Sequence, residues 1–120
     1  MNADPYSAEV RRRFFDPQHA GRVDGGTEAR VDAQGLRIRL TMRASDGRIA
    51  ALAFEASGCP HVVAACDAFC EAYEGRQVAE LCGFTGALLM QQLAVPVEKT
   101  GRILVLEDAV RALGPAGRDT

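Results

Sequence analysis

The chain has 120 residues, of which 48% are hydrophobic and 25% are charged, and its formal net charge is −2. This length predicts one domain that can bury a core without disulfides or a structural metal. The small net charge gives no basic surface of the kind that binds nucleic acid or membranes. No apolar run reaches about 18 residues, the length typical of a transmembrane helix.

The N-terminus and the cysteines indicate the compartment. The first residues have no basic stretch followed by an apolar one, so we identify no signal peptide and expect a cytoplasmic protein. The four cysteines are then more consistent with reduced thiols than with disulfides. They are Cys59, Cys66, Cys70 and Cys82, and no two of them form a Cys-x-x-Cys pair.

The first 57 residues predict one helix followed by three strands. The helix covers residues 7–15, with Ser7 as its cap, apolar positions at Val10, Phe14 and Phe15, and Pro17 as its stop. The strands cover residues 27–33, 36–42 and 48–57, and the second alternates apolar and polar residues. Asp46-Gly47 predicts a tight hairpin turn between the last two strands.

The second half of the chain predicts helices. Pro60 suits a first helical position, which leaves Cys59 at the N-cap, and Gly75 ends this helix. Shorter helices are predicted over residues 77–82 and 85–93, and a final helix over residues 102–113, with Gly114-Pro115 as its end. The inward residues expected in the final helix are Leu104, Leu106, Val110 and Leu113.

These elements predict an α+β fold, in which helices pack on a three-stranded, mostly antiparallel sheet. We expect a single domain over residues 1–120, with its core over residues 6–113 and a short flexible C-terminal tail.

Several short motifs occur in order along the chain. They are Asp16-Pro17-Gln18-His19-Ala20-Gly21, Asp46-Gly47-Arg48-Ile49, Gly58-Cys59, Gly75-Arg76, Leu93-Ala94-Val95-Pro96-Val97-Glu98-Lys99 and Glu107-Asp108-Ala109-Val110. Together they resemble the IscU and NifU N-terminal-domain family of iron–sulfur cluster assembly scaffolds. The resemblance covers residues 6–113 and lies in the opening helix, the strand pair and the helices.

The resemblance implies a site at one end of the fold, where three cysteines, an acidic residue and often a histidine gather. It implies a bound iron–sulfur cluster or zinc, and cysteine desulfurase or other assembly proteins as partners. Only Cys59 matches a ligand position. Ala33-Gln34-Gly35 replaces the family's Cys-Gly-Asp turn, and Gly101-Arg102-Ile103 replaces its His-Cys-Ser. We therefore expect a degenerate, non-enzymatic member that holds no cluster alone, and a chain without any cofactor is the alternative.

The other cysteines do not restore the site. Cys59, Cys66 and Cys70 share one helical face, but seven residues of helix rise roughly 10 Å. Thiolates that share a zinc at about 2.3 Å per bond lie much closer together. We expect Cys66, Cys70 and Cys82 to be structural residues, the first two as small buried hydrophobes.

Cys59 has three interpretations. A thiol at a helix N-terminus can have a lowered pKa, and Arg102 would add positive charge beside it, which favours a reactive or sulfur-accepting residue. The same arginine argues against metal binding. The second interpretation is a metal ligand completed by a partner or by a second copy of the chain, and the third is a structural remnant.

These interpretations leave two further functions open. One is a non-catalytic interaction module that binds assembly partners, and the other is a persulfide carrier through Cys59. His61 is expected to be a solvated residue, although it could supply a nitrogen ligand, and His19 is given no role. The run Arg11-Arg12-Arg13 is expected on a solvated helix face, where it could dock an acidic partner.

Overall fold

The computed structural model describes residues 6–118, and the side chains of residues 6–114. It confirms the predicted fold class, because helices pack on a three-stranded antiparallel sheet with the order β1-β2-β3. The elements are α1 (Ala8–Phe15), β1 (Thr27–Ala33), β2 (Leu36–Ser45), β3 (Arg48–Ser57), α2 (Pro60–Tyr73), a 3-10 helix (Val78–Gly83), α3 (Ala87–Leu93), a 3-10 turn (Val97–Lys99) and α4 (Thr100–Arg118).

The sheet matches the sequence prediction closely. β1 and β3 have the predicted bounds, whereas β2 continues through Ser45, with an irregularity in its pairing between Arg43 and Ala44. Asp46 and Gly47 have φ values of 53° and 76°, as a two-residue hairpin turn with positive φ at both positions requires. The alternate β2 side chains point into the core, and these are Leu36, Ile38, Leu40 and Met42.

Helix α1 is capped as predicted but buries different residues. Ser7 Oγ accepts a hydrogen bond from Val10 N at 3.2 Å and donates one to the carbonyl oxygen of Leu93 at 2.9 Å. Val10 is fully buried, whereas Phe14 is 36% exposed and Phe15 is 79% exposed. Of the three apolar positions that predicted this helix, only Val10 therefore enters the core, and the two phenylalanines leave an apolar surface at the end of α1.

The prediction of a solvated arginine face on α1 is wrong for Arg13, which is 2% exposed. Consecutive helical residues point about 100° apart, so three arginines in a row cannot share one face. Arg13 turns inward beside Val10, and its Nη1 donates a 2.7 Å hydrogen bond to Oδ2 of the fully buried Asp67. This ion pair joins α1 to α2.

Asp67 also fixes the loop that leads to β1. Its Oδ1 accepts hydrogen bonds from Gln18 N at 2.9 Å and His19 N at 3.0 Å. The ring of His19 lies 3.2 Å from Glu74 Oε1, measured from Nε2. His19 therefore contributes to the packing of this loop on α2, a role that the sequence did not predict.

The C-terminal helix differs from the prediction at its end and in one inward residue. α4 continues through Arg118, so the prediction that Gly114-Pro115 ends it is wrong, and residues 119–120 of the predicted tail lie outside the described residues. Leu104 is 48% exposed, and Ile103 is buried instead. Residues two apart in a helix face away from each other, so Leu104 and Leu106 cannot both point inward.

Helices α2 and α4 cover the inner face of the sheet. α2 packs on β3, and α4 packs on β1 and β2. Fully buried residues from both helices fill the space between the layers, among them Val62, Phe69, Leu106, Val110 and Leu113. The junction between β3 and α2 lies at the edge of this core, and Cys59 occupies that junction.

Candidate functional site

Three separate chain segments meet at one corner of the fold. They are the β1–β2 turn at Gln34, the β3–α2 junction at Cys59 and the start of α4 at Gly101. A Cβ atom built on Gly101 would lie 3.3 Å from Gln34 Oε1, and one on Gly58 would lie 3.7 Å from the carbonyl oxygen of Gly35. These are the segments that the family resemblance brings together, so the corner forms although two segments lack its ligands.

Gly58 makes the sharp junction that places Cys59. Its φ of 126° disfavours any residue with a Cβ atom. A Cβ there would also lie 2.5 Å from Leu36 Cδ2, too close for a stable contact. The residue before Cys59 is therefore a glycine for two independent steric reasons.

Cys59 is the N-cap of α2, as predicted, and Pro60 occupies the first turn. The carbonyl oxygen of Cys59 accepts hydrogen bonds from Val62 N at 2.9 Å and Val63 N at 3.1 Å. The side chain is 6% exposed, and its Sγ lies 3.7 Å from Nδ1 of His61. Cys59 is thus a nearly buried thiol in contact with an imidazole.

The prediction of a solvated His61 is wrong, since His61 is 1% exposed. The ring of Tyr6 lies against it, with 4.8 Å between ring centroids. Burial lowers the pKa of His61, and the charges of Lys99 and Arg102 lower it further. His61 Nε2 is buried without a hydrogen-bond partner among the described residues. The sequence gives no signal for this burial, because it depends on Tyr6 from a distant segment.

The donors at the corner do not fit a cluster or zinc held by this chain alone. A structural zinc takes four ligands, and an iron–sulfur cluster is held by several thiolates. Across residues 6–114, whose side chains are described, no three His, Cys, Asp or Glu side chains are grouped to hold a metal ion. Cys59 and His61 supply two donors, and the cations of Lys99 and Arg102 act on the same imidazole. Positive charge at this position opposes the binding of a metal cation.

The remaining cysteines divide into two kinds. Cys66 and Cys70 are fully buried, as predicted, and burial raises the pKa of both thiols well above the usual range. Cys82 is exposed, and its expected structural role stays a prediction. None of the three lies in a metal-binding group within the described part of the chain.

The fold and the corner define a small α+β scaffold with a cysteine at a strand–helix junction. The sequence profile of the "NifU-like N terminal domain" family matches residues 5–113. The chain therefore belongs to this family, whose members are iron–sulfur cluster assembly scaffolds. No curated protein matches the chain.

Solved structures show the same fold at low sequence identity. A NifU-like N-terminal protein from Brucella abortus is 14% identical with a TM-score of 0.74, and the match covers 95% of this chain and 94% of that one. The second structure is a protein of Fervidobacterium islandicum assigned as an iron–sulfur cluster assembly scaffold for the SUF system. It is 14% identical with a TM-score of 0.74, and the match covers 92% of this chain and 96% of that one. A hypothetical protein is 20% identical with a TM-score of 0.67, and the match covers 87% of this chain and 95% of that one.

Within the described residues, no helix has the length and apolar character needed to cross a membrane.

Proposed function

We propose that this chain serves in iron–sulfur cluster assembly as a non-catalytic, degenerate scaffold that holds no cluster with its own side chains. The observation that carries the proposal is the donor set of the corner. One thiol and one imidazole lie there beside two cationic side chains, and no larger ligand group is formed by residues 6–114. In this role the chain binds proteins of cluster assembly and modulates the assembly of clusters.

An apolar groove next to the corner supports this role. This groove has a volume of about 250 Å³ and is lined by Tyr6, Val10, Arg11, Phe14, Phe15 and Pro60. Tyr6 packs on His61, and Pro60 follows Cys59 directly, so the groove continues into the corner. Exposed aromatic side chains are typical of protein–protein contacts. The partner that this proposal commits to is a cysteine desulfurase.

Anaerobic reconstitution with iron and sulfide tests the absence of a cluster site. We expect the purified chain to retain no stoichiometric iron, and Cys59→Ser and Cys82→Ser to behave identically. About one cluster per chain that is lost in Cys59→Ser and kept in Cys82→Ser would overturn the proposal. One cluster per two chains would instead show that a second copy completes the ligand set.

Co-purification with a cysteine desulfurase tests the partner. We expect the wild-type chain to bind without metal, and Phe15→Glu to weaken binding at least about tenfold, because it places a charge in an apolar contact. Leu88→Glu is the matched control, since Leu88 is 73% exposed but lies on α3. If Phe15→Glu binds the desulfurase as tightly as Leu88→Glu and the wild-type chain do, the groove is excluded as the contact surface.

A second candidate function is persulfide transfer through Cys59. His61 Nδ1 lies 3.7 Å from Sγ, so the neutral imidazole is placed to accept the thiol proton and to pass it to the leaving thiolate. Its lowered pKa makes it a weaker base than a free histidine, which also helps it release that proton. The Cys59 thiolate would attack the terminal sulfur of a desulfurase persulfide. The old sulfur–sulfur bond breaks, the desulfurase cysteine leaves as a thiolate, and a new sulfur–sulfur bond forms on Cys59 without an external oxidant.

Mass spectrometry after incubation with a desulfurase and cysteine tests this second function. We expect a mass increase of one sulfur atom on the peptide that contains Cys59. The increase should be strongly reduced in His61→Gln. Absence of the adduct from the wild-type chain, or an adduct confined to the exposed Cys82, would exclude the carrier role.

A further inference from the structure

A second site of concentrated charge lies on the outer face of the sheet, away from the helices. Four arginines, Glu55 and Ser57 surround a cleft of about 270 Å³, which we name the arginine cleft. The arginines are Arg22, Arg30, Arg37 and Arg39. The cleft is separate from the thiol of Cys59, so its properties do not depend on the proposed role of that residue.

Strand register forces two of these arginines together. Arg30 of β1 is the direct cross-strand partner of Arg39 of β2. Like charges directly opposite each other destabilise an antiparallel pair. The pairing of Arg30 with Arg39 therefore does not stabilise the sheet. An anion placed between the two guanidinium groups would remove the repulsion.

Among the residues that the structure describes, Glu55 is the only carboxylate lining the cleft, and it is already shared. Oε1 of Glu55 accepts from Arg22 Nε at 2.7 Å and from Arg39 Nη1 at 3.2 Å. Asp32 contacts Arg30 and Arg37 from the rim, at 3.5 Å and 3.2 Å. Four guanidinium groups thus face one lining carboxylate, with Asp32 and Glu28 at the edge.

Arg39 is the central residue of the cleft. Its side chain is 19% exposed, and its Nε is buried without a hydrogen-bond partner among the described residues. Glu28 Oε1 lies 3.6 Å from this atom, beyond hydrogen-bond distance. A buried donor on a charged group lowers the stability of the fold when it has no acceptor. An oxyanion in the cleft would add an acceptor beside this guanidinium group.

We propose that the arginine cleft binds a small polyanion, a molecule that carries several phosphate or carboxylate groups. Guanidinium groups present paired N–H donors that match the oxygens of both groups. The cleft volume of about 270 Å³ suits a molecule of the size of pyrophosphate or citrate. Arg37 and Ser57 also line the neighbouring pocket beside Gln34, so the bound anion lies next to the Cys59 corner.

Titration with pyrophosphate and with citrate, followed by calorimetry and by the amide signals of Ala56 and Ser57, tests the proposal. We expect the wild-type chain to bind both probes, with an affinity that falls as the salt concentration rises. Arg39→Gln should bind at least about tenfold more weakly than the wild-type chain, because two charged hydrogen bonds are lost. Glu55→Gln should bind several-fold tighter, because it removes the one lining carboxylate. A preference for either probe identifies the oxyanion as a phosphate or a carboxylate.

Arg111→Gln is the matched control, since Arg111 is an exposed arginine on α4. It should bind both probes as the wild-type chain does, and circular dichroism should show all variants folded. Unshifted Ala56 and Ser57 signals with millimolar pyrophosphate and citrate would overturn the proposal. Equal binding by the wild-type chain, Arg39→Gln and Glu55→Gln would also overturn it.

Discussion

Sγ of Cys59 lies 3.7 Å from Nδ1 of His61, and both side chains are almost completely buried. In the proposed function, this contact stands where the family resemblance implied a larger ligand set. The imidazole is kept neutral by its burial and by two neighbouring cations. A thiol and a neutral imidazole can exchange a proton, but they do not form a complete metal site.

Three of the four thiols, those of Cys66, Cys70 and Cys82, should differ widely in reactivity, because the thiolate is the reactive form and burial disfavours it. Cys82 is exposed and should react first with a thiol reagent. Cys66 and Cys70 have pKa values raised by burial, so they should react only on unfolding. Labelling over time, read by mass spectrometry of peptides, measures the order. Rapid labelling of Cys66 in the folded protein would contradict this burial.

Removing the charge of Asp67 should destabilise the fold. Breaking a buried ion pair costs about 3–5 kcal/mol of unfolding free energy when it leaves a charge without any partner. Arg13 keeps Glu9 at 2.9 Å and Glu71 at 3.2 Å, so we expect a smaller loss of about 1–3 kcal/mol. Asp67→Asn leaves Arg13 without its 2.7 Å partner but keeps an oxygen for the amides of Gln18 and His19. Urea unfolding measures the loss.

Arg12→Met is the control for this ion pair, because Arg12 lies on the exposed side of the same helix. Its effect should stay within about 0.5 kcal/mol, the usual range for surface substitutions. If Asp67→Asn costs no more than Arg12→Met, the buried pair does not stabilise the junction of α1 and α2.

Gly58→Ala should destabilise the corner by about 1–3 kcal/mol, the usual cost of a strained backbone residue. Its φ of 126° disfavours alanine, and the new Cβ would meet Leu36. Gly83→Ala is the matched control, since a Cβ there meets nothing within 4 Å. Thermal unfolding of both variants measures the difference. Equal melting temperatures would show that the junction tolerates a side chain.

His61 should make stability fall in mild acid. Burial and the charges of Lys99 and Arg102 lower its pKa in the folded protein, so the unfolded chain takes up the proton first. The stabilisation is fully present above the pKa of an unfolded histidine, about 6.5, and decreases as pH falls through that value. Unfolding measured between about pH 7 and pH 5 should show a flatter slope for His61→Gln. Identical slopes would contradict the burial of a neutral imidazole.

The sequence predicted the sheet well because strand alternation and the Asp46-Gly47 turn are local signals. It also predicted Cys59 at the N-cap, since Pro60 marks a first helical turn. It could not predict the burial of Arg13 or His61. Those depend on Asp67 and Tyr6, which are distant in sequence and approach only when the helices pack.

The interior of the corner was predictable only through the family resemblance. That resemblance identified the three segments that meet, and the contact of Gly101 with Gln34 agrees with it. Arg102 was expected at this corner from the resemblance, whereas the effect of Lys99 on His61 required the folded structure, which brings the 3-10 turn before α4 to the start of α2. The arginine cleft likewise depends on register, which places Arg30 opposite Arg39.

The central claim is that this corner has the scaffold's shape but lacks its ligands. Its most direct test compares the wild-type chain with the double substitution Ala33→Cys and Arg102→Cys, which supplies thiols at two positions where the family has them. Iron and sulfide bound per chain are measured after anaerobic reconstitution. We predict no stoichiometric cluster on the wild-type chain and a cluster on the double variant. A stable cluster on the wild-type chain at about one per chain, lost in Cys59→Ala, would contradict the claim.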